Sequence, residues 1–304
     1  MVNDQVGAVR CDSVEVAFDD RRAVADAGLL LSATLAGRLG IEALVDETVD
    51  LGGVAGAALP GRKVMSLVDG MLAGADSIDD MDVLRSGRTQ AVLGHRVMAP
   101  STLGTFLRGF TFGHVRQLDR VLDVCLRRAW ASGAGPGARR LVIDIDSFVG
   151  EVHGHRKQGA AYGYTRQLGY HPLPATRADT GEVLHIRCRR GSANTQRGAR
   201  RFVEELIARV RRAGATGEIL IRADSGFENR ALRRALRERG VLYSIAVKRH
   251  KHVREAIEAI PEADWRPLAD YPEPGEAQIA ETTLGGERLV VRRVATLGPQ
   301  DQLF

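Results

Sequence analysis

The chain has 304 residues, 44% hydrophobic and 27% charged, a composition typical of a globular protein with room for two ordinary domains or one large one. No apolar run of about 18 residues predicts a membrane helix, and the N-terminus carries acids where a secretory signal needs an apolar core. Three isolated cysteines, Cys11, Cys125 and Cys188, fit a reducing cytoplasm and argue against a disulfide framework and a zinc site.

The net charge of +5 is unevenly spread. Residues 1–138 carry −3, residues 139–254 carry +14 and residues 255–304 carry −6. Such a local basic field suits a polyanion.

The first 130 residues read as mostly α-helical. Leucines at helical spacing predict a helix over residues 23–40, with Gly40 as its stop. Residues 52–61 read as a loop, and helical spacing returns from Val64 to Leu72. Ser77 followed by Asp80 signals a short helix through Leu84. Pro100-Ser101 opens another, with Ser101 as N-cap, and residues 115–130 form a longer amphipathic helix. The short helices between Ser77 and Phe110 have two readings. They form a helix-turn-helix presenting Thr105 and Arg108 to DNA, or a bundle packed on the next domain.

The Gly-rich stretch 131–137 reads as a linker and domain boundary. Beyond it the period changes. Residues 140–146 are a predicted strand, 160–175 a second strand with a bend, and 183–188 a third after the turn Asp179-Thr180-Gly181. Strands joined by short turns are antiparallel. A helix over 199–213, a strand over 219–224, a helix capped by Asn229 and a strand over 241–247 follow, and such crossovers return parallel. The expected fold is therefore α/β, a mixed sheet with helices on its faces. Gly285-Gly286 between two alternating runs signals a late hairpin.

The chemistry concentrates where apolar strands end in acids. Leu141-Val142-Ile143 runs into Asp144-Ile145-Asp146-Ser147. Asp144 and Asp146 point the same way along a strand, and like charges side by side repel unless a cation sits between them. The stretch reads as a metal-binding strand end or as a capped turn. Asp224 repeats the arrangement at the end of the 219–224 strand, before Ser225-Gly226. If the two strands are neighbours, Asp144 and Asp224 converge at one sheet edge. Carboxylates there suit Mg²⁺ or Mn²⁺, which take oxygen ligands and leave positions for phosphate oxygens. Arg187, Arg189, Arg190, Arg197, Arg200 and Arg201 fall within 15 residues, and with Lys157 they are the candidate DNA-phosphate contacts.

Taken in series, Asp144-Ile-Asp-Ser147, Lys157-Gln-Gly-Ala-Ala-Tyr-Gly-Tyr164, Gly169-Tyr-His-Pro172, Arg177-Ala-Asp-Thr-Gly181, Gly191-Ser-Ala-Asn194 and Arg222-Ala-Asp-Ser-Gly-Phe227 resemble the Asp-Asp-Glu transposases of bacterial insertion sequences. The nearest group is the one with a β-rich insertion between the second Asp and the Glu. The resemblance implies a ribonuclease-H-like core and Mg²⁺-dependent cleavage of element ends with strand transfer. It implies double-stranded DNA as partner (terminal inverted repeats and target), a homo-oligomer when intact, a cytoplasmic, nucleoid-associated location and no membrane. Asp144 would be the first metal ligand and Asp224 the second, with Asp146 an alternative to Asp144. The expected organisation is a helical, DNA-binding region over 1–136, the core over 137–248 and a partial β-rich insertion over 249–304. In that pattern the Glu follows on a helix beyond the insertion. The chain is expected to stop short of it, as a truncated and impaired copy. Glu281 and Glu287 read as solvated strand positions.

Two competing functions follow: a non-catalytic DNA-binding remnant, and a metal-dependent nuclease that would need a third ligand. His153 and His155 read as ligands or as a solvated turn. Tyr162, Tyr164 and Tyr170 read as base-stacking or as packing residues.

Overall fold

The computed structural model describes residues 22, 24, 26–153, 157–269 and 277–294. The readings given above for Cys11, His155 and the chain end fall outside the described residues.

The helical part comprises α1 (Leu29–Leu39), α2 (Ile41–Thr48), α3 (Pro60–Leu72), α4 (Met81–Arg85), α5 (Thr89–Leu93), α6 (Pro100–Arg108) and α7 (Phe112–Ala129), followed by a π-helical turn over Trp130–Ala134. Then come β1 (Leu141–Ile145), β2 (Gly150–Glu151), β3 (Ala161–Tyr162), β4 (Leu168–Tyr170), β5 (Leu173–Arg177) and β6 (Val183–Arg187). α8 (Ala199–Arg212), β7 (Ile219–Ala223), α9 (Arg230–Glu238), β8 (Leu242–Ile245), α10 (Lys251–Glu258), β9 (Arg266–Pro267), β10 (Ala277–Leu284) and β11 (Glu287–Val294) complete the order. The main sheet has five strands in the order β6-β5-β1-β7-β8. Its β7–β8 pair is parallel, with Ala223 opposite Ile245. Two small antiparallel sheets have the orders β2-β4-β3 and β11-β10-β9.

Several elements differ from the sequence expectation for local reasons. Gly40 does end α1 in a left-handed conformation (φ 63°), but the chain enters α2 at once. That helix of eight residues buries only Leu44 and Val45, too short a pattern to stand out. Ser101 is not the N-cap of α6: Ala99 takes that position and Pro100 is the first helical residue. The predicted second strand divides. β3 and β4 join a small sheet, and only the segment from Leu173 enters the main one. Pro172 lies at the break, where it has no N–H to give a ladder. Gly191 lets three backbones meet there, since a Cβ on it would lie 2.1 Å from the Gly169 carbonyl oxygen and 2.2 Å from that of Ala161. The hairpin at Gly285-Gly286 forms as expected, with φ of 58° and 81°.

The chain divides into two compact units. The first comprises the described residues up to 141 together with 174–188 and 204–219. Its helices enclose two apolar clusters, one around Leu29, Met81, Leu84, Val97 and Leu103, the other around Val45, Leu51, Phe106 and Val121. The second comprises the described residues of 142–173, 189–203 and those from 220 onward, and carries the strand ends where the predicted acids lie. Among the described residues, no helix is long and apolar enough to cross a membrane.

Candidate active site

β1 and β7 are neighbours in the sheet. The Leu141 N–H donates to the Glu218 carbonyl at 2.8 Å, which in a parallel pair sets Leu141 opposite Ile219. Counting along both strands places Ile143 opposite Ile221 and Asp144 opposite Arg222, with Asp146 and Asp224 each one residue past its strand's end. Burial agrees, because Leu141, Ile143, Ile145, Ile219 and Ile221 are all buried. The alternate positions Asp144, Asp146, Arg222 and Asp224 share the other face. An ion pair checks the register independently: the Arg222 guanidinium donates to both Asp144 oxygens, at 2.6 and 2.7 Å.

The three predicted acids therefore sit at one sheet edge in different states. Asp144 is held by Arg222, whose own pKa is raised by that hydrogen bond and charge. Asp146 and Asp224 are exposed and lie one residue beyond the ends of the neighbouring strands β1 and β7. Asp146 Oδ1 accepts the Ser147 N–H at 2.6 Å. Asp224 is still extended and accepts the Gly226 N–H at 3.0 Å, capping a single 3₁₀ turn whose Phe227 is buried. Among the described residues each keeps its other oxygen clear of hydrogen bonds. Exposed carboxylate oxygens, with neither thiolate nor imidazole beside them, fit a hard cation such as Mg²⁺.

The Arg-rich stretch separates into two roles. The Arg189 guanidinium donates to the carbonyls of His171, Asn194, Thr195 and Arg197, and burial pushes its pKa down. It pins the 191–197 loop. That loop touches the turn after Asp224, where Gln196 donates to the Glu228 carbonyl and accepts from Asn229. Arg187 is bound by Glu205. Arg190, Arg197, Arg200 and Arg201 are exposed, as is Lys157. Tyr162 and Tyr164 are exposed, and the Tyr170 hydroxyl donates to the Gln158 carbonyl. Glu281 is paired with Arg288, and Glu287 holds both Arg233 and Arg237.

A second titratable group lies elsewhere, on α7, β6 and α8. Asp119, His185 and Glu205 have ligand atoms within 4.8 Å of one another. His185 is fully buried, with Nδ1 at 3.4 Å from Asp119 and Nε2 at 3.5 Å from Glu205. The donor types could hold an ion, but Arg209 bonds Asp119 at 2.5 Å and Arg187 bonds Glu205. Arg116 approaches both acids. With the carboxylates already neutralised, the group fits a buried charge network fastening two helices to a strand better than a metal centre.

Sequence reasoning missed Arg222 as the partner of Asp144, although Arg222 precedes Asp224 by the same two residues that separate Asp144 from Asp146. It missed the Asp119–His185–Glu205 network because its members lie far apart in the chain. The one local hint was a histidine at an inward position of β6.

No curated protein sequence matches the chain. Among solved structures, it is similar to piggyBac transposase in a synaptic complex with hairpin DNA, at 14% identity and a TM-score of 0.42, covering 92% of this chain and 64% of that one. It is also similar to Mos1 transposase in a paired-end complex with the left transposon end (9% identity, TM-score 0.25, covering 61% of this chain and 58% of that one). A Mos1 strand transfer complex gives 12% identity and a TM-score of 0.23, covering 64% of this chain and 63% of that one. The chain thus spans less than two thirds of each of these proteins. The family model described as "Transposase DDE domain group 1" matches residues 6–296. Matched over nearly all of its length, the chain belongs to that family of DDE transposases.

Proposed function

We propose that this chain is an insertion-sequence transposase acting on double-stranded DNA in the cytoplasm, with Asp146 and Asp224 as the metal-binding acids and Mg²⁺ or Mn²⁺ as the cation. The observation that supports the reading is that the neighbouring strands β1 and β7 each end one residue before an exposed acid, Asp146 and Asp224. Two carboxylates at adjacent strand ends repel each other when they converge, and a divalent cation between them turns the repulsion into binding. Asp144 is the alternative first ligand, reached only by releasing Arg222.

The order β6-β5-β1-β7-β8 supports a ribonuclease-H-like core over 137–248, between a helical region over 1–136 and a β-rich region over 249–304. A bound divalent ion would activate a water or 3′-hydroxyl and stabilise the leaving oxygen of a phosphodiester. The chain's own residues do the positioning. The Gly226 N–H fixes the Asp224 carboxylate and the Ser147 N–H fixes that of Asp146. The exposed Arg190 and Arg197 supply charge for the DNA backbone.

One observation favours DNA binding without cleavage. Among the described residues, Asp144, Asp146 and Asp224 do not bring three ligand atoms within 4.8 Å of one another. Nicking of supercoiled plasmid in Mg²⁺ decides between the two. Catalysis predicts nicking that falls at least about 100-fold in Asp146→Asn and in Asp224→Asn, as loss of metal-site residues does, and less in Asp144→Asn. Wild-type binding with no nicking establishes the second reading. Nicking that survives Asp224→Asn overturns the proposed site.

A further inference from the structure

The parallel strands β1, β7 and β8 all deliver their following loops to one edge of the sheet. Beyond β8 the Ala246 N–H still bonds the Ala223 carbonyl at 3.1 Å, so Ala246 leaves the sheet beside Asp224. The next residues are Val247, Lys248, Arg249, His250, Lys251 and His252, leading into α10 with Arg254 in its first turn. Lys248, Arg249, Lys251 and Arg254 are all exposed.

These cations differ from the arginines already held in ion pairs. Arg62, Arg85, Arg177, Arg209, Arg222, Arg234, Arg288 and Arg293 each have a carboxylate partner. Lys248, Arg249 and Arg254 have none among the described residues, and Lys251 has only Glu255 at 3.8 Å. Lys248, His250 and His252 line a cavity of about 230 Å³ with Glu228 and Glu287. Those two acids do not offset the run, because Arg233 binds both and Arg237 also binds Glu287. Uncompensated cations packed into seven residues repel one another, and a polyanion relieves that repulsion.

We propose that Lys248, Arg249, Lys251 and Arg254 form a phosphate rail that holds the DNA backbone where it leaves the Asp146–Asp224 edge. The assignment rests on the reading of that edge as the DNA-processing site. It gives β8 and α10 the task of setting the register of the strand presented to the acids. Neutral contacts to the sugars would not need this charge, whereas phosphates do, and each phosphate neutralised releases condensed counterions.

The test is binding of a short duplex of arbitrary sequence in EDTA, followed by fluorescence anisotropy from about 50 to about 200 mM salt. The variant Lys248→Ala/Arg249→Ala/Lys251→Ala should flatten the slope of log K against log salt by about 2 to 3, close to 0.9 per lost phosphate contact. At about 100 mM salt its affinity should fall at least about 10-fold. The control Arg85→Ala/Arg234→Ala/Arg288→Ala removes the same charge from cations already paired and should change the slope by less than about 1. Lys248→Arg/Lys251→Arg should keep the wild-type slope. Equal slopes for the two triple variants, or a wild-type chain whose DNA binding ignores salt, overturn the rail. Mg²⁺-dependent nicking of the same duplex is scored separately. A flattened slope in a chain that never nicks leaves the rail standing and removes the catalytic reading. Nicking by the wild type with unchanged slopes does the reverse.

Discussion

Arg222 grips both carboxylate oxygens of Asp144 from the facing position on the neighbouring strand, at 2.6 and 2.7 Å. The two residues are 78 apart in sequence and one strand spacing apart in the sheet. The pair neutralises the acid nearest the strand interior and leaves the Asp146–Asp224 pair beyond it carrying the negative charge of the edge.

Removing Arg222 should therefore strengthen cation binding at that edge. Arg222→Gln is expected to tighten Mn²⁺ binding about 3- to 10-fold at low salt, the effect of roughly 1 kcal/mol from one partly screened charge. Both partners are substantially exposed, at 52% and 39%, so global stability should change by less than about 1 kcal/mol. Mn²⁺ titration followed by electron paramagnetic resonance checks the first outcome, and urea unfolding the second. Unchanged or weaker Mn²⁺ binding would place the cation elsewhere.

The buried network on α7, β6 and α8 should show its worth in acid. Burial pushes the Asp119 carboxyl up, but the His185 contact and the Arg209 charge together outweigh burial and hold it below the usual carboxylate range. A carboxyl depressed in the folded state stabilises fully above its unfolded pKa of about 3.9. That contribution is lost as pH falls through the folded value. The urea midpoint should accordingly drop on acidification below about pH 4, and Asp119→Asn should lack that component. At neutral pH, Asp119→Ala leaves the 6%-exposed Arg209 side chain uncompensated and should cost about 3–5 kcal/mol.

Arg189→Lys should loosen the 191–197 loop. A lysine cannot reproduce the fork that reaches four carbonyls at 2.9–3.2 Å. Amide hydrogen exchange in that loop should accelerate by about 10- to 100-fold, equivalent to losing about one net hydrogen bond to a charged donor. Exchange in the α1–α7 helices should not change. Unaltered protection of the loop would mean that Gln196 and Asn229 hold it without Arg189.

Gly191→Ala should be harmful where Gly37→Ala is not. A methyl at Gly191 meets backbone oxygens at 2.1 and 2.2 Å, while one at Gly37 meets nothing within 4 Å. The expected costs are about 1–3 kcal/mol or more at Gly191 and a gain of about 0.5–1 kcal/mol at Gly37, inside α1. Thermal melts of the two variants, compared with the parent, separate them.

Most of the sheet's strands and its longer helices were legible because the signals are local. Apolar runs ending in Asp144 and Asp224, the Asn229 cap and the Gly285-Gly286 turn each declare themselves within a few residues. Short elements such as α2 and α10 carry too few apolar positions for their period to show, and the segment before Pro172 reads as one strand when it is two.

By itself the sequence determined which acids end strands, where positive charge concentrates, and a run of motifs resembling one transposase group. Only the tertiary structure decided how those charges are used. It set Asp144 against Arg222, put Asp146 and Asp224 at the ends of neighbouring strands, pinned a loop with Arg189, and brought the Lys248–Arg254 cations to the same edge. The physical reason is that side-chain alternation is a property of one strand, whereas register is a property of two. The hydrogen bonds that fix it join residues far apart in the chain.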